Sequence, residues 1–330
     1  MKKKILFIGL GGAGQRHLRI IYNQYGKKFK YFAYRKKRKT NYLDKNFNHH
    51  SNVYLNDVYP INYITYCSID KLKFDYVFIS NPTAFHYKFL TLFLKKKSKI
   101  LIEKPLIFPV NKFSLIKNSN AIFFVGYQRR LTSIFLNLSS EIKQKYNEIH
   151  KITINVNSYV PSWHKYENYK DLYACKSKLG GGALLTECHE IDMVLAIFGL
   201  PKSIKCSRYS DKRLKLSVDT KYILIANYES FQVTFNVNMF NKNIKRLFII
   251  TYNNNKSSLY DLNNNYKKSY KHISKKTYFR NDIDPFKKQI DLFFKNKKSD
   301  FKNELEKVYM NNLFLKKSFQ SAKRKIQINL

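Results

Sequence analysis

Three glycines near the N-terminus have the spacing of a phosphate-binding turn. Gly9, Gly11 and Gly14 form the pattern GxGxxG between an apolar run and a helical pattern. Glycine permits a tight turn there and lets the backbone approach a pyrophosphate at the N-terminus of the following helix. In this strand-turn-helix context, the pattern predicts that a dinucleotide is bound by the residues of the turn, Gly9, Gly11, Gly12, Ala13 and Gly14.

The second predicted strand ends in a basic run instead of an acidic residue. In sites that prefer NAD, an acidic side chain about 20 positions beyond the glycines accepts hydrogen bonds from the ribose 2′-hydroxyl. Here Arg35 and Lys36 are followed by Lys37 and Arg38. These side chains suit the 2′-phosphate of NADP, with a solvated run in a very basic protein as the alternative. The sequence favours NADP over NAD as the cofactor.

Two more motifs follow later predicted strands, at the edge where open α/β sheets bind their ligands. One contains Asn81, Pro82 and Thr83, with His86 after them, and the other is Glu103-Lys104-Pro105. We predict cofactor contacts from both motifs, with ordinary turns as the alternative. His86 stands at the start of a predicted helix, where it would either contact the cofactor or cap the helix and pack.

Alternating strands and helices place these motifs in one domain. Apolar runs of strand length at residues 5–8, 76–79 and 99–102 are continuous, and helical patterns lie between them. Continuous apolar strands that alternate with helices are typical of a parallel sheet covered on both faces. We therefore predict an α/β Rossmann domain with a doubly wound parallel sheet over residues 1–125.

A different pattern begins at residue 126 and predicts a second, α+β domain over residues 126–330. Its segments alternate or run apolar at strand length with few helices between them, which indicates an open, mostly antiparallel sheet. One helix, Leu184 to Phe198, interrupts the strands, and C-terminal helices return to the first domain. An open sheet face rich in Val, Phe and Ile needs a cover. We expect a second subunit to supply it, in a homodimer or homotetramer.

The composition limits the classes of partner. The chain carries 62 Lys and Arg against 22 Asp and Glu, and the formal net charge of +40 attracts nucleic acid or an anionic membrane without any specific site. The basic residues are spread over the whole chain and accompany no recognisable nucleic-acid-binding module. We predict no specific nucleic-acid partner. We also predict no membrane span, because no stretch approaches the ~18 apolar residues that a span needs.

Cysteine usage indicates the compartment. No CxxC pair and no metal-ligand spacing occurs among the four cysteines, Cys67, Cys175, Cys188 and Cys206. This usage fits reduced thiols and predicts a cytoplasmic protein without a disulfide framework or a metal site. The N-terminal apolar run superficially resembles a signal peptide, but polar residues from Gln15 to Arg19 cut it short.

Taken in order, the motifs resemble those of the Gfo/Idh/MocA family, named for glucose-fructose oxidoreductase, inositol 2-dehydrogenase and a rhizopine-catabolism protein. The resemblance rests on GLGGAG, NPTxxxH, EKP, GYxxR and GGGxLLxxxHxxD, and it covers most of the chain. It implies an NAD(P)-dependent oxidoreductase that transfers a hydride between the nicotinamide and a hydroxyl or keto carbon of a sugar, nucleotide sugar or polyol. Residues 163–182 are similar to a bacterial branch associated with surface-sugar pathways.

The same resemblance implies two catalytic residues. Lys104 would lie near the nicotinamide and hydrogen-bond the reacting hydroxyl, and His189 would act as general acid or base. Imidazole, with an unperturbed pKa of about 6.5, suits the removal of the proton that the hydroxyl loses. A buried, hydrogen-bonded core histidine is the alternative for His189.

One position departs from the family pattern. Many relatives carry an aspartate shortly before the histidine, whereas this chain has Leu185-Thr186-Glu187-Cys188 there. Thr186 is the predicted occupant of that catalytic position, and the departure leaves the third catalytic member open. Asp192, three residues after His189 on the predicted helix, would either orient the imidazole or cap a local polar cluster.

Candidate substrate contacts come from the second domain. Arg130 would bind an anionic or hydroxylated substrate, with a structural ion pair as the alternative. Trp163 and Tyr173, together with Tyr169, would form an apolar platform for a sugar face or belong to the core. His189 would contact the reacting hydroxyl and so also counts among the substrate-binding residues.

Two other classes of function stay open at this stage. A non-catalytic dinucleotide-binding protein of the same fold is supported by the departure at Thr186, while the intact Lys104 and His189 argue against it. Binding of nucleic acid through net charge alone would show a steep salt dependence and no sequence preference.

Overall fold

The structure is a computed structural model that describes residues 2–36, 40–106, 122–270, 275–281, 283–295 and 302–330. The chain divides into two compact units. The first comprises Met1–Gly126, His164–Tyr166 and Phe286–Val308, and the second comprises Tyr127–Trp163, Glu167–Pro285 and Tyr309–Leu330. The functional roles that the sequence predicts for the two parts of the chain stay predictions.

Helices and strands have the following bounds within the described residues. The helices are α1 (Gly12–Tyr25), α2 (Leu55–Val58), α3 (Tyr66–Lys71), α4 (His86–Thr91), α5 (Ser133–Gln144), α6 (Ala183–Thr186), α7 (His189–Phe198), α8 (Pro285–Lys295) and α9 (Lys302–Arg324). The strands are β1 (Lys3–Ile8), β2 (Phe29–Tyr34), β3 (Asn41–Leu43), β4 (His49–Tyr54), β5 (Ile61–Tyr63), β6 (Tyr76–Ile79), β7 (Lys99–Ile102), β8 (Ile122–Val125), β9 (Ile149–Tyr159), β10 (Ser203–Tyr209), β11 (Lys221–Asn227), β12 (Gln232–Asn238), β13 (Phe240–Tyr252), β14 (Ser257–Asp261), β15 (Tyr266–Tyr270), β16 (Lys275–Tyr278) and β17 (Ile328–Asn329).

A parallel sheet forms the centre of the first unit. Its strands within the described ranges lie in the order β5-β2-β1-β6-β7-β8, and every neighbouring pair is parallel. The chain order reverses between β1 and β6, so the carboxyl ends of these two strands border a crevice. This topology confirms the predicted doubly wound parallel sheet.

Helices cover this sheet, which explains why its strands are apolar on both faces. Ile5 to Ile8 of β1 are all buried. Leu18 of α1 and Phe293 of α8 join the same hydrophobic cluster as Phe7, and the Phe293 ring lies 5.1 Å from the ring of Phe78. Burial on both sides requires apolar residues at consecutive positions, so the alternation of a half-exposed strand is absent from β1.

The second unit is built on a sheet of mixed but mostly antiparallel pairing. In the described residues its nine strands follow the order β16-β15-β14-β13-β9-β12-β11-β10-β17, and only β9 and β12 pair in parallel. The predicted α+β class with a mostly antiparallel sheet is therefore confirmed.

The two faces of the second sheet differ in a way that the composition alone does not predict. Val233, Phe235 and Val237 of β12 are buried, and Phe314 of α9 packs 6.1 Å from the Phe235 ring. The alternate positions are half-exposed and include Asn236. The Val and Phe residues of β12 are therefore on the covered face, because alternate residues of a strand point to opposite faces. Ile223 and Ile225 of β11 are half-exposed on the open face, in line with the Ile of the prediction. Assembly through the open face stays a prediction.

The predicted helix from Leu184 to Phe198 is two helices. It is interrupted at Glu187 and Cys188, whose backbone angles leave the helical region: φ −106° and ψ 39° at Glu187, and φ −85° and ψ 5° at Cys188. As a result, His189 is the first residue of α7 rather than a residue inside one long helix.

A buried carboxylate ties α5 to the strands beside it. Glu141 accepts hydrogen bonds from the hydroxyls of Tyr252 at 3.0 Å, Ser258 at 2.9 Å and Tyr260, and it forms a 2.8 Å ion pair with Lys267. Burial alone would raise the pKa of Glu141, but Lys267 and the hydroxyl donors outweigh burial and hold this pKa at about 2.

We expect acid to destabilise the second unit through Glu141. Its folded-state pKa lies below the ordinary value of 4.5, so the stability it contributes is present above that pH and is lost as the pH falls toward 2. Glu141→Gln should lower the free energy of unfolding by about 1 to 3 kcal/mol at neutral pH and flatten its decline in acid. Urea unfolding from about pH 7 to pH 3 measures both effects. An unchanged acid dependence in the variant would exclude Glu141 as the source.

Candidate functional site

The turn after β1 meets the turn after β6 at the crevice of the first sheet. Gly9 has a φ of +89°, and a Cβ on it would lie 2.7 Å from the backbone nitrogen of Asn81. A Cβ on Gly14 would lie 2.2 Å from the carbonyl oxygen of Gly9. The chain itself therefore requires glycine at both positions, since no other residue fits without moving the backbone.

At Gly11, in contrast, neighbouring atoms of the described residues would not exclude a side chain. Its backbone is extended, with φ −74° and ψ −167°, a conformation open to any residue, and a Cβ there would meet no atom of the described residues within 4 Å. Directly after it, α1 begins without an acidic side chain in its first turn. The first backbone N–H groups of a helix lack intrahelical partners. Open space beside such donors fits the pyrophosphate of a dinucleotide.

Two buried polar atoms at the same crevice support that fit. Ser80 Oγ and Asn81 Oδ1 are buried and have no hydrogen-bond partner within the part of the chain that the structure describes. Buried polar atoms are rarely left unpaired, because the lost hydrogen bond to water is not replaced. A polar ligand beside Gly9 and Gly11 would supply partners for both.

Arg35 braces the glycine turn from the end of β2. Its Nη1 donates to the carbonyl oxygen of Leu10 at 3.2 Å and to Thr40 Oγ1 at 2.9 Å. Lys36, the next residue, is exposed. Lys37 and Arg38 of the basic run lie outside the described residues. Arg35 therefore has a structural contact in addition to the predicted one with a 2′-phosphate.

His86 joins the turn after β6 to the turn after β7. The ring is buried, with Nε2 2.8 Å from the carbonyl oxygen of Asn81 and Nδ1 2.9 Å from that of Pro105. Burial lowers the pKa of His86, despite these carbonyls and Glu103. A neutral imidazole carries one N–H, so one of the two contacts at a time is a hydrogen bond. Of the two roles left open by the sequence, packing is the one that these contacts support.

The turn after β7 contains a part-buried hydrogen bond that sequence reasoning missed. His17 of α1 lies with Nε2 2.8 Å from Glu103 Oε1. Burial would raise the pKa of Glu103, but His17, Arg16 and Lys104 together hold it at about 2. The carboxylate next to Lys104 therefore stays ionised over the whole physiological range. Its partner, His17, lies one helical turn after the glycine motif. A histidine at that position was the sequence signal that could have indicated this contact.

The histidine of the second unit lies beside an aromatic ring. His189 is 8% exposed, and the Tyr127 ring stands edge-on to it with centroids 6.2 Å apart. Thr186, at the end of α6, is buried. Burial, with the nearby Cys188 and Asp192, raises the pKa of Tyr127 well above its ordinary value, so this phenol stays protonated. Of these side chains, the imidazole is the one suited to exchange a proton near neutral pH.

The predicted substrate residues have different surroundings. Arg130 is 10% exposed and its Nε lies 2.8 Å from Asp192 Oδ2, while Asn311 donates to Asp192 Oδ1 at 2.9 Å. These contacts support the structural ion pair for Arg130 and the polar cluster for Asp192. Trp163 and Tyr173 are both half-buried. The Tyr169 ring packs edge-on against the half-buried Phe240 ring, with centroids 5.8 Å apart.

A second buried ion cluster in this unit was also missed by sequence reasoning. Arg246 of β13 pairs with Glu187 and Glu190, on either side of His189 in the sequence. Acidic residues in an apolar helix of so basic a protein are a signal that buried cations lie nearby. Their partner is 56 positions from Glu190 on a strand, so no local pattern identifies it.

The structure thus groups the predicted residues within each unit. The first unit brings the glycine turn, Asn81 and the Glu103-Lys104 turn to the carboxyl edge of one sheet. The second unit brings Thr186, His189 and Asp192 to the break between α6 and α7. Within the described ranges, no group of three or more His, Cys, Asp or Glu is arranged to hold a metal ion. No helix in those ranges has the length and apolar character that a membrane crossing requires.

Comparisons with known proteins agree with the geometry of the first unit. Residues 3–122 match the GFO_IDH_MocA family model, which describes an oxidoreductase family with an NAD-binding Rossmann fold. YgjR, an uncharacterized oxidoreductase of Escherichia coli K12, is 21% identical over 165 residues, which are 48% of this chain and 49% of that protein. The match therefore spans about half the length of this curated relative.

Two solved structures are similar over nearly their whole length. Aldose-aldose oxidoreductase from Caulobacter crescentus, complexed with glycerol, has a TM-score of 0.77 at 11% identity, with 100% of both chains covered. The WlbA dehydrogenase from Bordetella pertussis, in complex with NADH and UDP-GlcNAcA, has a TM-score of 0.74 at 14% identity, with 100% of this chain and 98% of that chain covered. At these identities the likeness establishes the fold. The motif order, the strand order and the family match agree that residues 3–122 form a Rossmann domain of the type found in the Gfo/Idh/MocA oxidoreductase family.

Proposed function

We propose that this protein is an NAD(P)-dependent dehydrogenase or reductase that acts on a hydroxyl or keto carbon of a sugar, nucleotide sugar or polyol. The observation that carries the proposal is the open space at Gly11, beside the N-terminal end of α1, which no side chain caps, at the reversal of strand order. The sugar class is supported by the names of the two similar structures, one an aldose-aldose oxidoreductase and the other a dehydrogenase bound to UDP-GlcNAcA.

The first unit would hold the dinucleotide. Backbone N–H groups of Gly12 and Ala13 would donate to the pyrophosphate, and Gly11 would leave room for it. The turns that begin at Asn81 and Glu103 would line the rest of the same edge. When bound, the nicotinamide supplies or accepts the hydride.

Proton transfer would fall to two side chains of this chain. Oxidation of an alcohol carbon releases a hydride to the cofactor and leaves the hydroxyl proton to be removed, so a carbonyl forms. His189 would take that proton, and in the reverse direction return it. Lys104 would donate a hydrogen bond to the same oxygen and stabilise its developing negative charge. Tyr127 would remain a hydrogen-bond donor, because its raised pKa keeps the phenol protonated.

Identification of the bound molecules tests the proposal directly. Mass spectrometry of the material released from purified protein should show NADP or NAD. An absorbance screen against sugars, nucleotide sugars and polyols should then show oxidation or reduction of the nicotinamide. Turnover with the cofactor separates a dehydrogenase from a non-catalytic binding protein. Failure to bind either dinucleotide would overturn the proposed function.

We expect NADP to bind more tightly than NAD, and Lys36→Asp to weaken NADP binding by about 3- to 10-fold. Lys36 is the better test because Arg35 also braces Leu10, so its replacement would disturb the glycine turn. Lys73→Asp is the matched control: it makes the same charge change at an exposed residue before β6, at the opposite edge of the sheet. Tighter binding of NAD by the wild type, or equal effects of the two variants, would count against NADP preference.

A further inference from the structure

We propose that Arg246 is a positioning residue for His189, acting through the two glutamates that it bridges. The inference rests on the proton-transfer role proposed for His189. It concerns a cluster within the second unit, Arg246 on β13 with Glu187 and Glu190 beside the break between α6 and α7.

One guanidinium holds both sides of that break. Arg246 Nη1 donates to the two carboxylate oxygens of Glu190 at 2.8 and 2.9 Å, and Nη2 donates to Glu187 Oε2. Glu187 directly follows α6, and Glu190 is in the first turn of α7. Cys188 and His189 are the two residues between them. The side chain of His189 therefore starts from a backbone segment that is fixed at both ends to one strand residue.

The helical hydrogen bonds of α6 end at the break, where the Glu187 N–H donates to the Ala183 carbonyl at 2.9 Å. Glu187 and Cys188 lie outside the helical region, and the first regular bond of α7 is donated by the Asp192 N–H to the Cys188 carbonyl, at 3.1 Å. A change at either residue would rotate the Cα–Cβ bond of His189. Proton transfer depends steeply on such geometry, and a misplacement of about 1 Å costs on the order of 100-fold in rate.

Burial makes this cluster sensitive to the identity of its cation. Glu187 is 3% and Glu190 is 1% exposed, and the side chain of Arg246 is 12% exposed. Burial alone would lower the pKa of Arg246, but the two glutamates outweigh burial and raise it, so the guanidinium stays charged. A second cation, Arg129, lies with Nε 3.9 Å from Glu190 Oε1.

Lysine cannot replace this arginine in its bridging role. A guanidinium presents a planar fork of donors that engages two carboxylates at once, whereas an ammonium is a single point charge. Buried ion pairs contribute little net stability, because desolvation offsets their attraction. Fixing a unique geometry is a role that such a cluster can serve even where its stability contribution is small.

The test separates positioning from folding by removing all three charges together. The variant Arg246→Met, Glu187→Gln, Glu190→Gln replaces the cluster by neutral side chains of similar size. The nearby Arg129 loses Glu190 as a partner but keeps 27% of its side chain exposed to water. Arg246→Lys keeps the positive charge but loses the planar guanidinium donors. It tests the positioning role if the neutral variant does not fold. Arg208→Met is the control, since Arg208 forms an exposed pair with Asp219 in the same unit.

The first readout needs no substrate. Protein labelled with 13C in histidine, with His189 assigned by the His189→Ala variant, should give one sharp His189 imidazole resonance in the wild type and in Arg208→Met. In the neutral variant and in Arg246→Lys, this resonance should shift and broaden, because the ring samples several orientations. An unchanged resonance in both cluster variants would overturn the inference.

The second readout uses a substrate found in the absorbance screen. Both cluster variants should lose about 10- to 100-fold in kcat, with KM and the cofactor Kd within a few-fold of wild type. If both cluster variants keep the wild-type kcat while His189→Ala is inactive, the positioning role of Arg246 is rejected and the proposed role of His189 stands. Full activity of His189→Ala would instead reject the proton-transfer role on which the inference rests.

Discussion

Replacing His189 by alanine is expected to lower turnover by about 100- to 10,000-fold, the usual cost of losing a general acid or base. Cofactor affinity should not change, because the residues proposed to hold the dinucleotide belong to the first unit and His189 belongs to the second. Turnover with an identified substrate and the cofactor dissociation constant are the two measurements. His150→Ala is the matched control, as it removes an exposed imidazole from β9 of the same unit.

Lys104→Ala should reduce turnover by a similar factor, because it removes the donor proposed to act on the same oxygen. The double variant should be little worse than either single variant, since groups that serve one proton transfer fail as a unit. Circular dichroism must first show that each variant is folded. If folded His189→Ala keeps near-normal turnover, the imidazole is a core residue and the proposed proton carrier is wrong, while the cofactor site would stand.

Replacing Gly11 by valine is expected to weaken dinucleotide binding by more than about 100-fold, or roughly 3 kcal/mol, without unfolding the protein. The side chain would enter a space in which the described part of the chain places no atom within 4 Å of a Cβ, and the extended backbone at Gly11 accepts valine without strain. Calorimetric titration with NADP and NAD measures the loss, and thermal unfolding followed by circular dichroism measures stability.

Gly14→Ala is the informative comparison for Gly11. A methyl group there would lie 2.2 Å from the Gly9 carbonyl oxygen, so the backbone must move and the variant should lose stability as well as binding. Substitutions at the two glycines of one motif are thus expected to weaken binding for different reasons: Gly11→Val blocks the ligand, and Gly14→Ala disturbs the backbone. Normal cofactor titration by Gly11→Val would show that the space serves another purpose and would remove the main support for the cofactor site.

The sequence by itself determined the elements and motifs that depend on near neighbours. The apolar run of β1, the glycine turn and the first helix are encoded within about 20 consecutive residues, and the turns at Asn81 and Glu103 each follow their own apolar strand. The spacing of apolar residues and the positions of the residues that end helices and strands are local properties, so a single sequence reveals them. The motif order was sufficient to predict the family whose model matches residues 3–122.

Only the tertiary structure decided which distant residues meet. His17 and Glu103 are 86 positions apart, and Arg246 and Glu190 are 56 apart, so their pairing follows from how α1, α7 and β13 pack. The break before His189 likewise escaped the helical pattern, and Glu187 at this break pairs with Arg246, 59 positions away on β13. Contacts of this kind depend on strand register and helix packing, which fix pairs of residues that no local spacing relates.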